Sequence, residues 1–161
     1  MNIFFTDTNA KVAAISQPDK MLVKMVLETA QMLCTAHRVL DGNEYADEAG
    51  LYKEAYKNHP CTVWARASSS NYNWLFKHFT SLLDEYEYRY NKEHACKRLV
   101  VALSKTPDNI TQTDMTPVAL AMPDQYKEPD DPILSYRQYV IAEKEYAMWN
   151  KNRQQPAWWP V

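Results

Sequence analysis

Apolar positions recur with a helical period along most of the chain, and two long stretches dominate. Between Pro18 and Arg38 the apolar residues are Met21, Leu22, Val23, Met25, Val26, Leu27, Ala30, Met32, Leu33, Cys34 and Ala36. The pattern predicts a helix that starts with Pro18 in its first turn and is closed by the Asp41-Gly42 turn. The second stretch runs from Ser68 to about Asn91, with Tyr72, Leu75, Phe79, Leu82, Leu83, Tyr86 and Tyr90 in helical register. Shorter elements surround these two. Asn2 to Phe5 reads as a short extended start, and Asp7 or Thr8 can cap a helix from Lys11 to Ile15. Glu44 to Tyr56 reads as helical in part, up to the break at Asn58-His59-Pro60. Cys61 to Ala67, Lys92 to Leu103 and Ile133 to about Asn152 complete the predicted helices. Ser104 to Pro132 holds five prolines and reads as a long loop, either functional or a plain surface excursion. The expectation is an all-α fold, one compact helical bundle over residues 1–161 with a short extended N-terminal segment.

Placing the polar residues of the Pro18–Arg38 helix about 100° apart sharpens this picture. Lys20, Lys24, Glu28, Gln31, Thr35 and Arg38 fall within an arc of roughly 80°. A helix apolar over the rest of its girth belongs at the centre of a bundle. Two readings of the stripe stand side by side. It is the solvent edge of a deeply packed helix, or it lines a polar pocket. Its composition suits a pocket: Lys20 and Lys24 can meet anionic oxygens, while Glu28 and Gln31 can read hydroxyls or amides.

Composition narrows the chemistry. Only two glycines disfavour hairpins and Gly-rich phosphate loops. A net charge of -2 argues against a protein that grips duplex DNA. Cys34, Cys61 and Cys96 lack CxxC spacing and read as reduced, buried thiols of a cytoplasmic protein. No membrane-spanning run is expected, since Lys24, Glu28 and Gln31 interrupt the longest apolar stretch. His37, His59, His78 and His94 show no metal-binding spacing, so neither a metal nor another cofactor is expected. His59, before Pro60, reads as a turn or capping residue.

Arg66, Ser69 and Asn71 sit at a predicted helix start, where they either cap it or meet a phosphate. Arg137 and Lys144 lie seven residues apart on one helix side and form a candidate basic wall near Tyr139. Trp149, Trp158 and Trp159 read first as packing residues.

Asp19-Lys20-Met21 followed by Glu28 resembles the D-x-H-x6-E signature of the phage pyrimidine-dimer DNA glycosylases of the endonuclease V type. His59-Pro60, Trp64-Ala65, Ser69, Asn71 and Trp74-Leu75 resemble that family's second helical block. Ala121-Met122-Pro123-Asp124, Tyr136-Arg137-Gln138-Tyr139, Lys144 and Pro156-Ala157-Trp158-Trp159 look like a related phage subgroup. The resemblance implies an all-α fold and a glycosylase/lyase whose N-terminal α-amine attacks the sugar C1′. It implies that Glu28 is the catalytic carboxylate and that a base is extruded from the strand. Met21 stands where the signature carries histidine, and Asn2 is a poor context for removal of Met1.

Two functions follow as expectations. The first is a binding protein in the cytoplasm of an infected bacterial host, holding a nucleotide or nucleotide-derived immune signal without turnover. Lys20, Lys24 and Arg66 would meet phosphates, Glu28 and Gln31 the ribose or base, and Trp64 or Tyr139 would stack. His59, Ser69, Asn71, Arg137 and Lys144 complete the expected ligand-binding set. The second is a DNA glycosylase/lyase or related N-glycosidase using Glu28. Duplex DNA is the less favoured partner, and the tyrosines and tryptophans are compatible with a homodimer.

Overall fold

The computed structural model describes residues 1–161 and consists of helices joined by irregular segments. The long apolar helix forms as the pattern predicts. It is α2 (Asp19–Asp41), following the short α1 (Ala10–Ile15). The order continues with α3 (Glu44–Glu48), α4 (Pro60–Ala65), α5 (Ser69–Tyr90), α6 (Val100–Ser104) and α7 (Pro132–Glu143). Short 3-10 turns cover Ala95–Leu99 and Asp124–Tyr126. α2 packs against α3, α4 and α5, and α1 crosses α5. Leu22, Val26, Ala30, Met32, Leu33, Cys34 and Ala36 of α2 are wholly buried, facing Tyr72, Leu75, Phe79 and Leu82 of α5 in one contiguous core.

Side chains with short polar arms set the helix starts. Asn9, rather than Asp7 or Thr8, caps α1 by accepting from the Lys11 and Val12 N–H groups. His59 Nδ1 accepts from Cys61 N–H and Ser68 Oγ from Asn71 N–H, starting α4 and α5. Gly42 and Asn91 follow α2 and α5 with positive φ, where a helix commonly ends.

The N-terminal segment belongs to no sheet, and the expected extended run is broken at Phe4, whose φ is 42 and whose carbonyl accepts from Thr6 N–H at 2.7 Å. Ile3, Phe4 and Phe5 are buried, so their backbone must find partners inside the protein. Asn2 Oδ1 accepts from the Ile3 and Phe4 N–H groups at 2.7 and 2.9 Å, and Asn2 Nδ2 donates to the Ala121 carbonyl at 2.9 Å.

Three elements are shorter than the pattern predicts. Only Glu44–Glu48 of the 44–56 stretch is helical, because Arg38 draws the following residues inward. Its guanidinium donates to the Tyr52 and Leu51 carbonyls at 2.7 and 2.9 Å. The 92–103 stretch divides into a 3-10 turn and α6. The last helix ends at Glu143 instead of near Asn152, because tertiary bonds hold the next residues as a strap. Asp19 N–H donates to Met148 O at 2.8 Å, and Asp19 Oδ2 accepts from Asn150 N–H at 2.8 Å. Arg153 grips Glu85 through two bonds of 2.8 and 2.9 Å. Beneath the strap the buried Arg89 donates to Glu85 at 2.8 Å, to Asp19 at 3.1 Å and to two carbonyls of the α1–α2 turn. A charge so deep is tolerated because every lobe of the guanidinium has an acceptor.

The long loop 105–131 is irregular as predicted, yet it is tied down. Asp41 accepts from the Asp108 and Asn109 N–H groups, and Asn71 exchanges bonds with Thr116. No helix is long and apolar enough to cross a membrane. All three cysteines are free and buried, and burial raises Cys34 and Cys61 to about 11.

His78 is completely buried between Gln17, the Ala10 carbonyl and the face of Trp74. Burial lowers it to about 4, so it folds neutral while the unfolded chain binds a proton below its ordinary 6.5. The unfolded state therefore carries more protons between these values, and stability falls as pH drops through them. Urea unfolding between pH 7.5 and 4 should show a loss of roughly 3 kcal/mol assignable to this residue, and His78→Gln should flatten that limb. A wild-type profile that stays flat to pH 4 would contradict the assignment.

Candidate functional site

The polar stripe of α2 meets three environments in the folded protein. At its start, Lys20 is exposed beside Tyr90, Tyr146 and Lys151, on a shallow cleft away from the rest of the stripe. At its end, Thr35 and Arg38 are buried beneath residues 51–55, which they hold by hydrogen bonds. Between these, Lys24, Glu28 and Gln31 line an open groove of about 780 Å³. The middle three residues therefore share one open groove, with Lys24 largely in solvent and Glu28 largely enclosed.

The groove also contains the start of the chain. The Met1 side chain is 1 % exposed, packed into the interior, so its backbone end is turned outward. Its α-amine lies 3.8 Å from Glu28 Oε2, while Lys24 Nζ approaches Glu28 Oε1 at 3.4 Å. Two cationic nitrogens therefore flank one carboxylate. Lys24 is largely exposed and Glu28 largely enclosed, so Glu28 is the fixed member and Lys24 the adjustable one. Val23 and Leu27 supply apolar walls, and Tyr56 and His94 supply aromatic ones.

Two histidines share one local construction. His59 Nδ1 accepts from Cys61 N–H at 3.1 Å, and His94 Nδ1 from Cys96 N–H at 3.0 Å. In each neutral ring the proton then sits on Nε2. Burial lowers both rings below the usual histidine range. For His59 the Met1 ammonium lowers it further and Glu28 opposes the shift, so this ring lies within the field of the amine–carboxylate pair.

The other residues expected in the site lie elsewhere, and most are engaged. Trp64 is buried, edge-on to Phe5 and Trp74, with its indole N–H toward Thr116 O. The Asn71 amide is fully used by Trp64 O and Thr116. Ser69 bonds Thr113 of the long loop, and Arg66 reaches back to the Thr62 carbonyl. Arg137 donates to Thr6 O, pairs with Asp7 and lies over the Trp158 ring, on a separate groove. Tyr139 stacks on Phe4, and Lys144 donates to its hydroxyl. Capping and packing account for these positions without a ligand. Met21 is in the core, 3 % exposed, and brings no polar atom to the groove. No group of three or more His, Cys, Asp or Glu side chains is arranged to hold a metal ion.

Tyr56 and His94 escaped the sequence reading. Tyr56 lies in an irregular stretch where no periodicity marks a face. His94 carried a legible signal, since His59-Pro60-Cys61 and His94-Ala95-Cys96 repeat one spacing that lets a histidine cap the N–H two residues on.

Because Lys24 is exposed, its pairing with Glu28 contributes about 0.5 kcal/mol or less to stability. Lys24→Ala and Glu28→Gln should therefore unfold in urea within about 1 kcal/mol of wild type while impairing whatever the groove binds. A loss of several kcal/mol in either variant would make the pair a folding element instead.

Residues 1–98, well over half the chain, match the family model for pyrimidine dimer DNA glycosylase. The match contains the amine–Glu28 pair, the whole groove lining and the α2–α5 core, and leaves out the long loop, α7 and the C-terminal strap. No curated protein and no solved structure matches the chain significantly. With its groove built around a helix glutamate and an N-terminal amine, the chain belongs to the pyrimidine dimer DNA glycosylase family.

Proposed function

We propose that the groove holds a nucleotide or nucleotide-derived small molecule intact, and that in a phage setting the protein sequesters a host nucleotide immune signal. The observation that carries this reading is the state of the arginines. All six of them, Arg38, Arg66, Arg89, Arg98, Arg137 and Arg153, donate to acceptors within the protein itself. Arginine forks are a main means of gripping nucleic-acid phosphates; here Arg38 and Arg89 are buried in the fold, Arg137 and Arg153 are paired with carboxylates, and only Arg66 and Arg98 hold single carbonyl contacts. What remains is a groove of nucleotide size, with Lys24 for an anionic oxygen and Glu28 and Gln31 for hydroxyls and base edges. Met21 in the core leaves the groove without the imidazole of the family signature.

A second reading is favoured by one specific distance. An α-amine 3.8 Å from a carboxylate is the pair that glycosylase/lyase chemistry needs. The nitrogen lone pair would add to the sugar C1′ as the C1′–base bond breaks, and the base would leave with a proton. The nitrogen would give up both protons, one to the departing base and one to O4′ as the C1′–O4′ bond opens, leaving an imine. Glu28 would stabilise the developing cation. The Met1 amine must be free for this, which intact-mass measurement establishes.

The two readings separate in one experiment. The protein is incubated with mononucleotides, ADP-ribose and cyclic dinucleotides, then heated, and the released molecules are identified by mass spectrometry. In parallel it is mixed with abasic DNA and borohydride. Release of an intact nucleotide with no covalent DNA adduct is the expected result. A trapped adduct, or release only of base and sugar fragments, would replace sequestration by catalysis. Neither retention nor adduct would reject both.

A further inference from the structure

Tyr56 combines two properties that rarely coincide. It adopts a left-handed backbone, φ 46, and it is the most exposed aromatic residue of the chain at 73 %. Bulky side chains avoid that backbone region, and one found there is held by its surroundings. Phe4 has a similar φ, but it is 5 % exposed, so core packing offsets its strain. Asn91 and Asn152 carry the other positive φ values outside glycine, and asparagine tolerates them. The Tyr56 side chain makes no hydrogen bond or ring contact within the protein that would offset its strain. Its ring is not among those packed against the core.

The backbone around it is nonetheless fixed. Thr35 Oγ1 accepts from Ala55 N–H at 3.0 Å and donates to Ala55 O at 3.4 Å, clamping the preceding residue to α2. Tyr56 O accepts from His59 N–H at 2.9 Å, which leads straight into the α4 cap. A strained but rigid support thus presents a free aromatic ring on the groove that holds Glu28, Gln31 and the Met1 amine. His94, the other aromatic lining residue, is not free in this way: its Nδ1 is bonded to Cys96 N–H and its ring meets the edge of Tyr86.

We infer that Tyr56 is the stacking residue of the groove, lying flat against the planar base of a bound nucleotide while Glu28 and Gln31 take its polar groups. The inference rests on the nucleotide-binding reading and gives it a specificity: ligands with a flat unsaturated ring are held, and the sugar phosphate alone is not enough. Aromatic stacking tolerates different bases, because each presents a π face. The phenol hydroxyl has no part in this, so phenylalanine can replace tyrosine.

The test is isothermal titration of the full chain with AMP, ADP-ribose and cyclic di-AMP, comparing wild type with Tyr56→Ala, Tyr56→Phe, Tyr56→Gly and Glu28→Gln. For each ligand that binds, Tyr56→Ala should weaken affinity about tenfold or more, a typical loss for one stacked base. Tyr56→Phe should stay within about twofold on the same basis, since the ring is kept. Tyr56→Gly should bind as poorly as Tyr56→Ala yet melt at or above the wild-type temperature, because glycine relieves the left-handed strain. Wild-type affinity in Tyr56→Ala, alongside lost binding in Glu28→Gln, would overturn the role of Tyr56 and leave the groove standing. Failure of wild type to bind any of these ligands would overturn both.

Discussion

The burial of the first six residues is the constraint on which the site depends. Ile3, Phe4 and Phe5 are almost completely enclosed, each contributing roughly 1.5–3 kcal/mol in transfer free energy. A non-helical segment can enter a helical core only if its peptide groups are bonded there, and Asn2 supplies the acceptor for two of them. Once this segment is locked, the Met1 side chain is drawn inward and its amine is left at the surface of α2, beside Glu28. The groove is therefore a consequence of packing. The same apolar residues that complete the core place the α-amine beside a carboxylate.

The second organising feature is the use of charge inside the fold. Arg38 holds the 51–52 carbonyls, Arg89 joins α5 to the α1–α2 turn, and Arg153 closes the C-terminal strap on Glu85. Each supplies side chain-to-backbone or ion-pair bonds to a stretch that is not regular secondary structure. A chain of net charge -2 carries no overall basic excess, the usual electrostatic footprint of a protein that binds duplex DNA.

Much of the fold was legible because periodicity reports burial. The α2 and α5 patterns located both central helices to within a few residues, Ser68 marked a real start, and the break at Asn58-His59-Pro60 falls where α4 begins. What periodicity misses is long-range capture. Nothing local to residues 144–152 forbids a helix; it is Asp19, Glu85 and Ser16, distant in sequence, that hold this segment irregular. The site was legible in part for the same reason. The α2 stripe placed Lys24, Glu28 and Gln31 together, but a helical wheel cannot tell which third of a stripe a loop will cover. Lys20 opens onto another cleft and Arg38 is sealed under residues 51–52. Trp64, Ser69 and Asn71 look like ligand residues in a sequence because indole, hydroxyl and amide groups serve caps and loop anchors equally well. Tyr56 left no trace at all, since its distinguishing property is a backbone angle.

The central claim is that a nucleotide occupies the groove against the Met1 amine and Glu28, and acylation footprinting of that amine addresses it directly. At a pH near 7 a limiting dose of acetic anhydride-type reagent modifies α-amines ahead of lysines, and the site of modification is read by peptide mass spectrometry. Saturating nucleotide should protect the Met1 amine severalfold while exposed lysines such as Lys53 react unchanged, and the protection should vanish in Glu28→Gln. A bound nucleotide that leaves Met1 acylation unaltered would show that it sits elsewhere, and would contradict the account.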